Sequence, residues 1–374
     1  MTTKRQHLEK TLASALDKAG YEAVIAVSPE NVQHLCGVFI ASQRMIRDRL
    51  AFVVFRRQGA PFMVVSTVVA YTARTHSWID DVATYQEHSV RPIDGLATAL
   101  KERGLEKARV LVETGALPTR DGDRLREALP QLQFDDAEKL LDRSRMVKVP
   151  EEIEQTRRNA RIWETAVLDG YKAVKENEPE QDISNRMKRN ILLGGADWVP
   201  FTIFSTGEHT LLNHWVADAS PVKRGDIMMV DMVGFFGGRY IDAARMAIIG
   251  EPSAAQRDAY RRMSTVQKEL VKLVKPGIVA RDVFQAGVKI AKDLGMTAAA
   301  PDFGHSLGIR LHEYPILSTY EDEVLVPDMV MCIEVSQKFE GLGNFHVEDI
   351  VHVTPNGAQV LTTLMDTTDM LVVG

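Results

Sequence analysis

The sequence predicts an α/β domain over residues 1–145, followed by an α+β domain over residues 150–374. A chain of 374 residues is long enough for two domains. In the first part, short apolar runs alternate with helical patterns. In the second part, two helices followed by strands occur twice, although the internal sequence similarity is weak. Together these observations favour a mixed domain in front of a duplicated helix–helix–sheet architecture.

The composition restricts where the chain works and what it binds. The hydrophobic fraction of 45% and the charged fraction of 26% are ordinary for a globular protein. A net charge of -6 offers no basic surface for nucleic acid. No apolar run is long enough to cross a bilayer, and residues 1–24 do not resemble a signal peptide. With two cysteines and no disulfide framework, we expect a cytoplasmic protein without nucleic-acid or membrane partners.

Local patterns predict the elements of the first domain. Residues 4–18 form a helix of mixed polar and apolar residues, and residues 23–27 form a strand. Residues 50–65 form a hairpin that turns at Gln58-Gly59. Residues 109–112 form another short strand. We find no catalytic motif in this half of the sequence.

Three arginines stand close together in the first domain. Arg44, Arg47 and Arg49 lie in a segment with a loop-like sequence. One interpretation is a solvated basic loop. The other is a contact with the substrate or with a neighbouring subunit.

The second domain is predicted to begin with a long helix after a boundary within residues 142–149. Pro150 suits the first turn of a helix, and acidic Glu151, Glu152 and Glu154 suit its positive end. The apolar stripe of this helix predicts packing on a core and consists of Ile153, Ala160, Trp163, Val167, Tyr171 and Val174. The remaining elements are a helix over residues 183–193, strands within residues 200–250, a helix that starts with a capping box of Ser253 and Gln256, a helix over residues 279–294, and strands up to residue 353.

Five side chains of the second domain could form one metal cage. Most of them stand among apolar neighbours, in segments that otherwise look like buried strands: Asp231, Asp242, His305, Glu334 and Glu348. A cluster of buried carboxylates needs cations or very good hydrogen bonds, because burying a bare charge is costly. Four carboxylates and one imidazole can hold two hard divalent ions with room for a bridging water. The alternative for any single acid is a hydrogen-bonded buried carboxylate or a solvated strand end.

Asp231 and Asp242 are predicted to share one face of a hairpin that turns at Gly237-Gly238. A two-residue loop there pairs Val233 with Asp242 and Asp231 with Ala244, which makes the two aspartates diagonal neighbours. A three-residue loop would put them on opposite faces. The Gly-Gly pair favours the two-residue loop, because such turns need positive φ.

Glu334 and Glu348 are predicted to lie on two antiparallel strands, residues 330–335 and 345–353. Both face the same way if the connecting loop has an odd number of residues, a number that the sequence leaves open. Cys332 shares the face of Glu334 because it lies two residues before it. We interpret Cys332 as a buried structural thiol.

Three histidines are candidates for the same site. His305 lies in Phe303-Gly304-His305-Ser306-Leu307-Gly308, where glycines allow the backbone to approach a site closely. A single histidine of this kind is more often structural than a ligand. His214 and His312 are not marked by their spacing, and a structural role stays open for both on these grounds.

Taken together, these motifs resemble the pita-bread metallopeptidase family, which includes methionine aminopeptidase, aminopeptidase P, prolidase and creatinase. Asp231 and Asp242 have the family spacing, Gly304-His305 with Leu307-Gly308 resembles its glycine–histidine motif, and Glu334 and Glu348-Asp349 resemble its two glutamate motifs. Residues 150–374 resemble its catalytic domain. The first half resembles the creatinase-type N-terminal domain of the last three proteins.

The resemblance implies a pita-bread fold and a dinuclear metal site held by the five residues of the cage. The metals implied are manganese, cobalt, iron or zinc, and a water or hydroxide bridging them is the implied nucleophile, with Glu334 as proton shuttle. His214 and His312 resemble the family histidines that contact substrate and stabilise the tetrahedral intermediate. The resemblance also implies a homodimer, in which the segment around Arg44 and Arg47 can complete a neighbour's pocket.

Three positions depart from the family pattern. Ala244 follows Asp242 by two residues, where peptidases usually carry threonine near the second metal. Ser306 replaces the commoner glycine after His305. His346, two residues before Glu348, stands where prolidase-like enzymes often carry an arginine and becomes a candidate substrate-binding residue. The hydrolytic core is kept, whereas dipeptide specificity is not implied.

The function expected from this sequence is metal-dependent hydrolysis of an amide bond, with an Xaa-Pro type peptide as the first choice of substrate. The alternative is a relative that acts on a small metabolite, as ectoine hydrolase, dimethylsulfoniopropionate lyase or metal-free creatinase do. The retained cage argues against the creatinase mechanism. A binding protein without catalysis is a third class, and such proteins have usually lost metal ligands that this chain keeps.

Overall fold

The computed structural model describes residues 3–297 and 300–374. The chain divides into two compact units, Met1–Arg145 and Met146–Gly374. No helix within the described residues is both long enough and apolar enough to cross a membrane.

The N-terminal unit is a mixed sheet between helices. Among the described residues, six strands pair in the order β4-β3-β2-β1-β5-β6, with antiparallel pairs around β2 and parallel pairs elsewhere. The helices are α1 (Thr3–Ala19), α2 (Pro29–Cys36), α3 (Ala41–Met45), α4 (Ala70–His76), α5 (Pro92–Glu102), α6 (Thr119–Ala128) and α7 (Glu138–Met146). The strands are β1 (Ala23–Ala26), β2 (Phe52–Arg56), β3 (Phe62–Ser66), β4 (Asp81–Tyr85), β5 (Arg109–Val112) and β6 (Gln133–Asp136).

Both faces of this sheet are buried, which explains its continuous apolar strands. In β1, Val24 and Ala26 pack in one apolar cluster, whereas Ala23 and Ile25 pack in another. Successive side chains of a strand point to opposite faces, so a strand covered on both sides needs apolar residues at every position. The predicted helix, hairpin and strands of this domain are confirmed, with β2 and β3 paired as expected.

The arginine segment is more ordered than its sequence predicts. Arg44 lies on the short helix α3, so its placement in a loop was wrong, and its guanidinium lies 2.9 Å from the carboxylate of Glu30. Arg47 follows the helix and is exposed. Arg49 forms two hydrogen bonds with Glu87, of 2.8 and 2.9 Å. A local sequence pattern does not reveal an ion pair with a distant residue. It also does not reveal a helix of five residues, because so short a helix depends on tertiary contacts.

The C-terminal unit repeats the predicted helix–helix–sheet plan. Its helices are α8 (Pro150–Lys172), α9 (Glu180–Leu193), α10 (Ala254–Leu273) and α11 (Ala280–Asp293). Its strands are β7 (Trp198–Thr206), β8 (Ile227–Phe236), β9 (Arg239–Ile249), β10 (Asp302–Ser306), β11 (Glu313–Ser318), β12 (Val330–Phe339), β13 (Gly343–Thr354), β14 (Gly357–Val360) and β15 (Leu371–Val373). Within the described part of the chain, seven strands run in the order β11-β10-β12-β13-β9-β8-β7, with β14 beside β13 and β15 beside β9.

One face of this sheet is covered by the four helices. Helices α8 and α9 pack on β7 and β9, and α10 and α11 pack on β10 to β13. Met228, Val230 and Met232 alternate along β8 and are buried in the core below α8. Asp231 lies between them in sequence and therefore points to the opposite face of the sheet. The helices thus leave that other face available for a site.

Candidate metal centre

Four strands bring three of the predicted acids into one row. Asp231 on β8 pairs with Ala244 on β9, Ala244 pairs with Glu348 on β13, and Glu348 pairs with Glu334 on β12. Asp242 lies two residues before Ala244 and shares its face. Residues that are directly opposite or diagonal on one face lie within reach of a common ion.

The two hairpins of the sheet set this register. Gly237 and Gly238 both have positive φ, 56° and 85°, and form the predicted two-residue turn, so the expected pairing of Asp231 with Ala244 is confirmed. In the other hairpin Phe339 pairs with Gly343. Three residues therefore connect the strands, the odd number that places Glu334 opposite Glu348.

His305 reaches the row from the neighbouring strand. It pairs with Cys332, two residues before Glu334. The preceding Gly304 has a φ of 134°, and a Cβ there would lie 2.0 Å from the carbonyl oxygen of Cys332. Only glycine permits this close approach of β10 to β12, which explains the sequence in front of His305.

The acids and His305 line a cavity of about 440 Å³ in the C-terminal unit. Asp242, His305 and Glu348 are buried, whereas Asp231 and Glu334 are partly exposed at its surface. The residues that line the cavity are Phe201, Ile203, Thr210, Leu212, Asn213, His214, Met229, Asp231, Asp242, His305, Leu311, His312, Glu334, Ser336, Asn344, His346 and Glu348. A polar floor under partly apolar walls is typical of a small-molecule site.

Buried oxygens without hydrogen-bond partners show that this site fits cations. Asp242 Oδ1 and Glu348 Oε1 are both buried and accept no hydrogen bond. His305 Nε2 lies 4.0 Å from an oxygen of Asp242 and 3.9 Å from an oxygen of Glu334. These distances are too long for hydrogen bonds, but they suit two ligand atoms that each lie about 2 Å from one ion.

The electrostatics of the cage also favour cations. Burial and the charges of Asp231 and Glu334 raise the pKa of Asp242 well above its usual range. Burial and the neighbouring carboxylates do the same to the pKa of Glu348, and burial raises the pKa of Asp231. A divalent ion would remove the repulsion that holds protons on these groups.

His305 is held in the form that binds a metal. Its Nδ1 lies 3.0 Å from the carbonyl oxygen of Ser306 and donates a hydrogen bond to it, which leaves the Nε2 lone pair facing Asp242 and Glu334. Burial lowers the pKa of His305 to about 4, so the ring is neutral at neutral pH. A neutral imidazole with a free nitrogen is the species that coordinates divalent ions.

His346 lies among the acids rather than apart from them. Its Nε2 lies 3.1 Å from Glu334, and its Nδ1 lies 3.9 Å from Asp231. Burial opposes the charged ring, but the hydrogen bond to Glu334 and both carboxylates outweigh it and raise the pKa of His346. Burial would raise the pKa of Glu334, yet the hydrogen bond with His346 holds that pKa below its usual range. Glu334 therefore remains ionised in the absence of metal.

The other two histidines stand at the mouth of the cavity. His214 is exposed, and its ring meets the Phe201 ring edge to face at 5.7 Å. His312 is exposed as well, and its ring stacks on His305 at 3.9 Å. A ring nitrogen of His312 is also close enough to Asp242 and His305 to share an ion with them.

Arg44 and Arg47 belong to the N-terminal unit, and neither is among the described residues that line this cavity. Their assignment to substrate binding stays a prediction.

A buried network under the cage was missed by sequence reasoning. Arg245 donates hydrogen bonds to the main-chain oxygen of Glu348 at 2.6 Å and to Asp349 at 2.7 Å. Asp349 also accepts from Gln267 at 3.0 Å, and Glu164 lies 3.1 Å from Arg245. These contacts fix the strand that carries Glu348 from the face opposite the cavity. A charged residue inside the apolar run of β9 was the available signal.

Comparisons with known proteins agree with this architecture. The family model described as metallopeptidase family M24 matches residues 154–355, and the model of the creatinase/prolidase N-terminal domain matches residues 10–147. An Xaa-Pro dipeptidase of Pyrococcus furiosus is 30% identical over 220 residues, which cover 58% of this chain and 63% of that one. The putative dipeptidase YkvY of Bacillus subtilis is 27% identical over 353 residues, 94% of this chain and 96% of that one.

A solved structure shows the same fold over nearly the whole length. The Xaa-Pro dipeptidase from Bacillus anthracis superimposes with a TM-score of 0.87 at 21% identity, covering 98% of this chain and 99% of that one. The predicted fold, a creatinase-type N-terminal domain followed by a pita-bread domain, is confirmed. The family match spans more than half of the residues. The chain therefore belongs to metallopeptidase family M24, a family of metal-dependent hydrolases.

Proposed function

We propose that this protein hydrolyses an amide bond, with an Xaa-Pro type peptide as the substrate, using two divalent ions held by Asp231, Asp242, His305, Glu334 and Glu348. The observation that carries the proposal is the row of carboxylates on one cavity floor, with two buried oxygens that accept no hydrogen bond. Manganese, cobalt, zinc or iron would suit this set of oxygen and imidazole donors.

The metals and Glu334 divide the chemistry between them. Divalent ions held by these five residues would polarise the substrate carbonyl and would lower the pKa of the attacking water. Glu334 is ionised and hydrogen-bonded to His346, so it can accept the proton of that water and pass it to the leaving nitrogen.

The two exposed histidines act on the substrate. His214 and His312 line the cavity mouth and can donate hydrogen bonds to a carbonyl oxygen that becomes negative as the tetrahedral intermediate forms. Their exposure supports a contact with an entering peptide rather than a place among the buried ligands.

The names of the relatives support a peptide substrate. The Pyrococcus furiosus relative is an Xaa-Pro dipeptidase, and the Bacillus anthracis structure is an Xaa-Pro dipeptidase as well. By the same family resemblance, we propose a cytoplasmic homodimer with a domain boundary within residues 142–149.

A second candidate is hydrolysis or lysis of a small metabolite. None of the described residues that line the cavity is lysine or arginine. His346 stands where prolidase-like enzymes often carry arginine, and an imidazole cannot form the planar two-bond clamp that a guanidinium forms with a carboxylate. This lining favours an uncharged group next to the scissile bond, which longer peptides and small amides both offer.

The test is a substrate panel with each of the four metals. It compares kcat/KM for an Xaa-Pro dipeptide with a free carboxylate, for its C-terminal amide, for longer Xaa-Pro peptides and for small amides. We expect metal-dependent cleavage with a preference for the amide or the longer peptide. Cleavage of small amides alone would support the second candidate. A strong preference for the free acid, unchanged in His346→Ala, would show that another residue, such as Arg44 or Arg310, binds the carboxylate.

A further inference from the structure

Glu180 is a buried carboxylate that lies outside the cavity. It stands in the first turn of α9 and is 0% exposed. Acidic residues in the first turn of a helix are common, but they usually remain in solvent, because burying a charge is costly unless hydrogen bonds offset it. Complete burial of this glutamate therefore calls for a set of donors.

Four donors surround Glu180, and they come from the last residue of β7 and from the loop that follows it. Its Oε1 accepts from the backbone N of Thr206 at 2.7 Å and from the hydroxyl of Thr206 at 2.8 Å, and it lies 3.1 Å from Nδ1 of His209. Its Oε2 accepts from Nε1 of Trp215 at 2.9 Å. Both oxygens are therefore occupied by protein donors. Glu180, His209 and Asp218 lie close enough to share an ion, but both carboxylate oxygens of Glu180 already interact with protein donors.

This loop carries His214. It leaves β7 at Thr206, and His214 immediately precedes Trp215. Glu180 thus holds the loop on both sides of the histidine. The ring of Trp215 also packs on His209 at 4.3 Å, and His214 itself has a positive φ of 56°. An exposed histidine in an unusual backbone conformation needs such support, because loops otherwise sample many conformations.

Glu313 plays the same part for His312. Its side chain is 2% exposed. Its Oε1 accepts from the backbone N of Ile309 and of Arg310, both at 3.1 Å. Its Oε2 lies 2.6 Å from the ammonium of Lys148. The turn that leads into His312 is therefore folded over a buried carboxylate.

We propose that Glu180 and Glu313 are positioning residues, each of which fixes the loop of one substrate histidine, Glu180 for His214 and Glu313 for His312. The inference rests on the proposed function, because it assumes that both histidines act on substrate. Neither glutamate is among the described residues that line the cavity, although the charge of Glu313 also acts on the ring of His305. Their contribution to catalysis passes through the geometry of the histidines, and a displacement of about 1 Å can cost about 10²-fold in rate.

The first test is Glu180→Gln. The amide keeps the size of the side chain, but its NH₂ group faces a donor, so part of the loop is released. We expect kcat to fall roughly 10–100-fold with a smaller change in KM and an unchanged metal content. Trp215 fluorescence should shift, because the indole loses its acceptor. Glu178→Gln is the matched control: Glu178 lies two residues away and binds Arg186 instead of the loop, so kcat should not change.

A double-mutant cycle separates positioning from general stability. Because Glu180 acts through His214, Glu180→Gln should cost little further activity in a His214→Ala background. Glu313→Gln should behave in the same way with His312→Ala. The proposal would be overturned if, in both cycles, the double variant lost as much activity as the two single variants lose together. A Glu180→Gln enzyme with wild-type kcat would overturn it as well.

Two further measurements keep the outcome decisive. If Glu180→Gln does not fold, Trp215→Phe is the substitute, because it removes one donor to Glu180 while keeping an aromatic ring. It should lower kcat in the wild-type background but not in the His214→Ala background. If His214→Ala and His312→Ala themselves retain full activity on every cleaved substrate, the proposed roles of the histidines are wrong. In that case the fluorescence shift in Glu180→Gln still reports whether Glu180 holds the loop.

Discussion

At the scale of single residues, the buried acids of the cage lower the unfolding free energy of the metal-free protein when they are ionised, and bound metal would remove this loss. Asp242 and Glu348 have raised pKa values in the metal-free chain. Between the unfolded pKa near 4 and the raised folded values, the folded chain binds more protons than the unfolded chain, so its unfolding free energy falls as pH rises. The raised pKa of His346 acts in the same sense. His305 opposes it between about 4 and 6.5, but as one group against several.

The prediction is a pH-dependent stabilisation by metal. In chelator, Tm should decrease from pH 5 to pH 8, whereas in saturating manganese it should stay level or rise, because metal affinity grows as the ligands lose protons. Differential scanning fluorimetry across this range measures both curves. Parallel curves, with the same metal effect at every pH, would contradict the assignment of these acids as ligands.

The histidines at the cavity mouth should separate catalysis from metal binding. His214→Ala and His312→Ala should each lower kcat by about 10²–10⁴-fold, the usual contribution of proton transfer or oxyanion stabilisation. The number of bound ions per chain should not change. Loss of metal from His312→Ala, measured by elemental analysis, would instead make His312 a ligand, which its distance to Asp242 and His305 allows.

At the scale of elements, the sequence predicted those parts of the site that a short local motif determines. Gly237 and Gly238 specified a two-residue turn, and the turn alone fixes Asp231 against Ala244. The loop before Gly343 carried no comparable signal. Whether Glu334 and Glu348 point to the same face depended on the number of residues in this loop, which only the structure supplied. The pairing of Glu348 with Ala244 joins strands about a hundred residues apart in sequence, and no local pattern encodes such a contact.

Side chains with distant partners were the ones that the sequence could not assign. Glu180 reads as an ordinary acid at a helix start, and Glu313 reads as a polar residue beside His312. Their roles come from donors on other segments, such as Trp215 and Lys148. Arg44 was predicted in a loop because its helix has only five residues and its partner, Glu30, belongs to another helix.

The glycine in front of His305 offers an element-scale test. In Gly304→Ala the new Cβ would meet the carbonyl oxygen of Cys332, so β10 must move away from β12 and carry His305 with it. We expect lower Tm and weaker metal binding. Gly277→Ala is the control, because Gly277 also has a positive φ, 90°, but has nothing within 4 Å of the added atom. Its cost should be that of backbone strain alone, about 1–3 kcal/mol.

Equal losses of stability in the two variants, with metal affinity unchanged in Gly304→Ala, would contradict this account of β10. Isothermal titration with manganese and thermal unfolding of both metal-free proteins provide the comparison.

At the scale of the whole molecule, we predict a homodimer in which Arg47 serves the neighbour's active site. Arg47 is exposed, whereas Arg44 is engaged by Glu30. If Arg47 acts across the interface, Arg47→Ala and Asp231→Asn should each be weakly active alone. Reassembled together, they should regain up to about a quarter of wild-type activity, because half of the random dimers then contain one complete site.

Subunit exchange followed by kinetic assay tests this directly, with the oligomeric state taken from light scattering. A fully active monomer would contradict the prediction. So would an Arg47→Ala protein that keeps wild-type kcat/KM on every cleaved substrate.

The measurement closest to the central claim is the metal content of protein purified without chelator, compared with Asp231→Asn and with Asp369→Asn, a control at an exposed ion pair with Arg261. We predict two divalent ions per chain in the wild-type and control proteins. Asp231→Asn should keep its fold, bind fewer ions and lose at least about 10²-fold in activity, since loss of a ligand exceeds the usual effect of its supporting contacts. Full activity of metal-stripped Asp231→Asn would contradict the assignment of this site as a dinuclear metal centre.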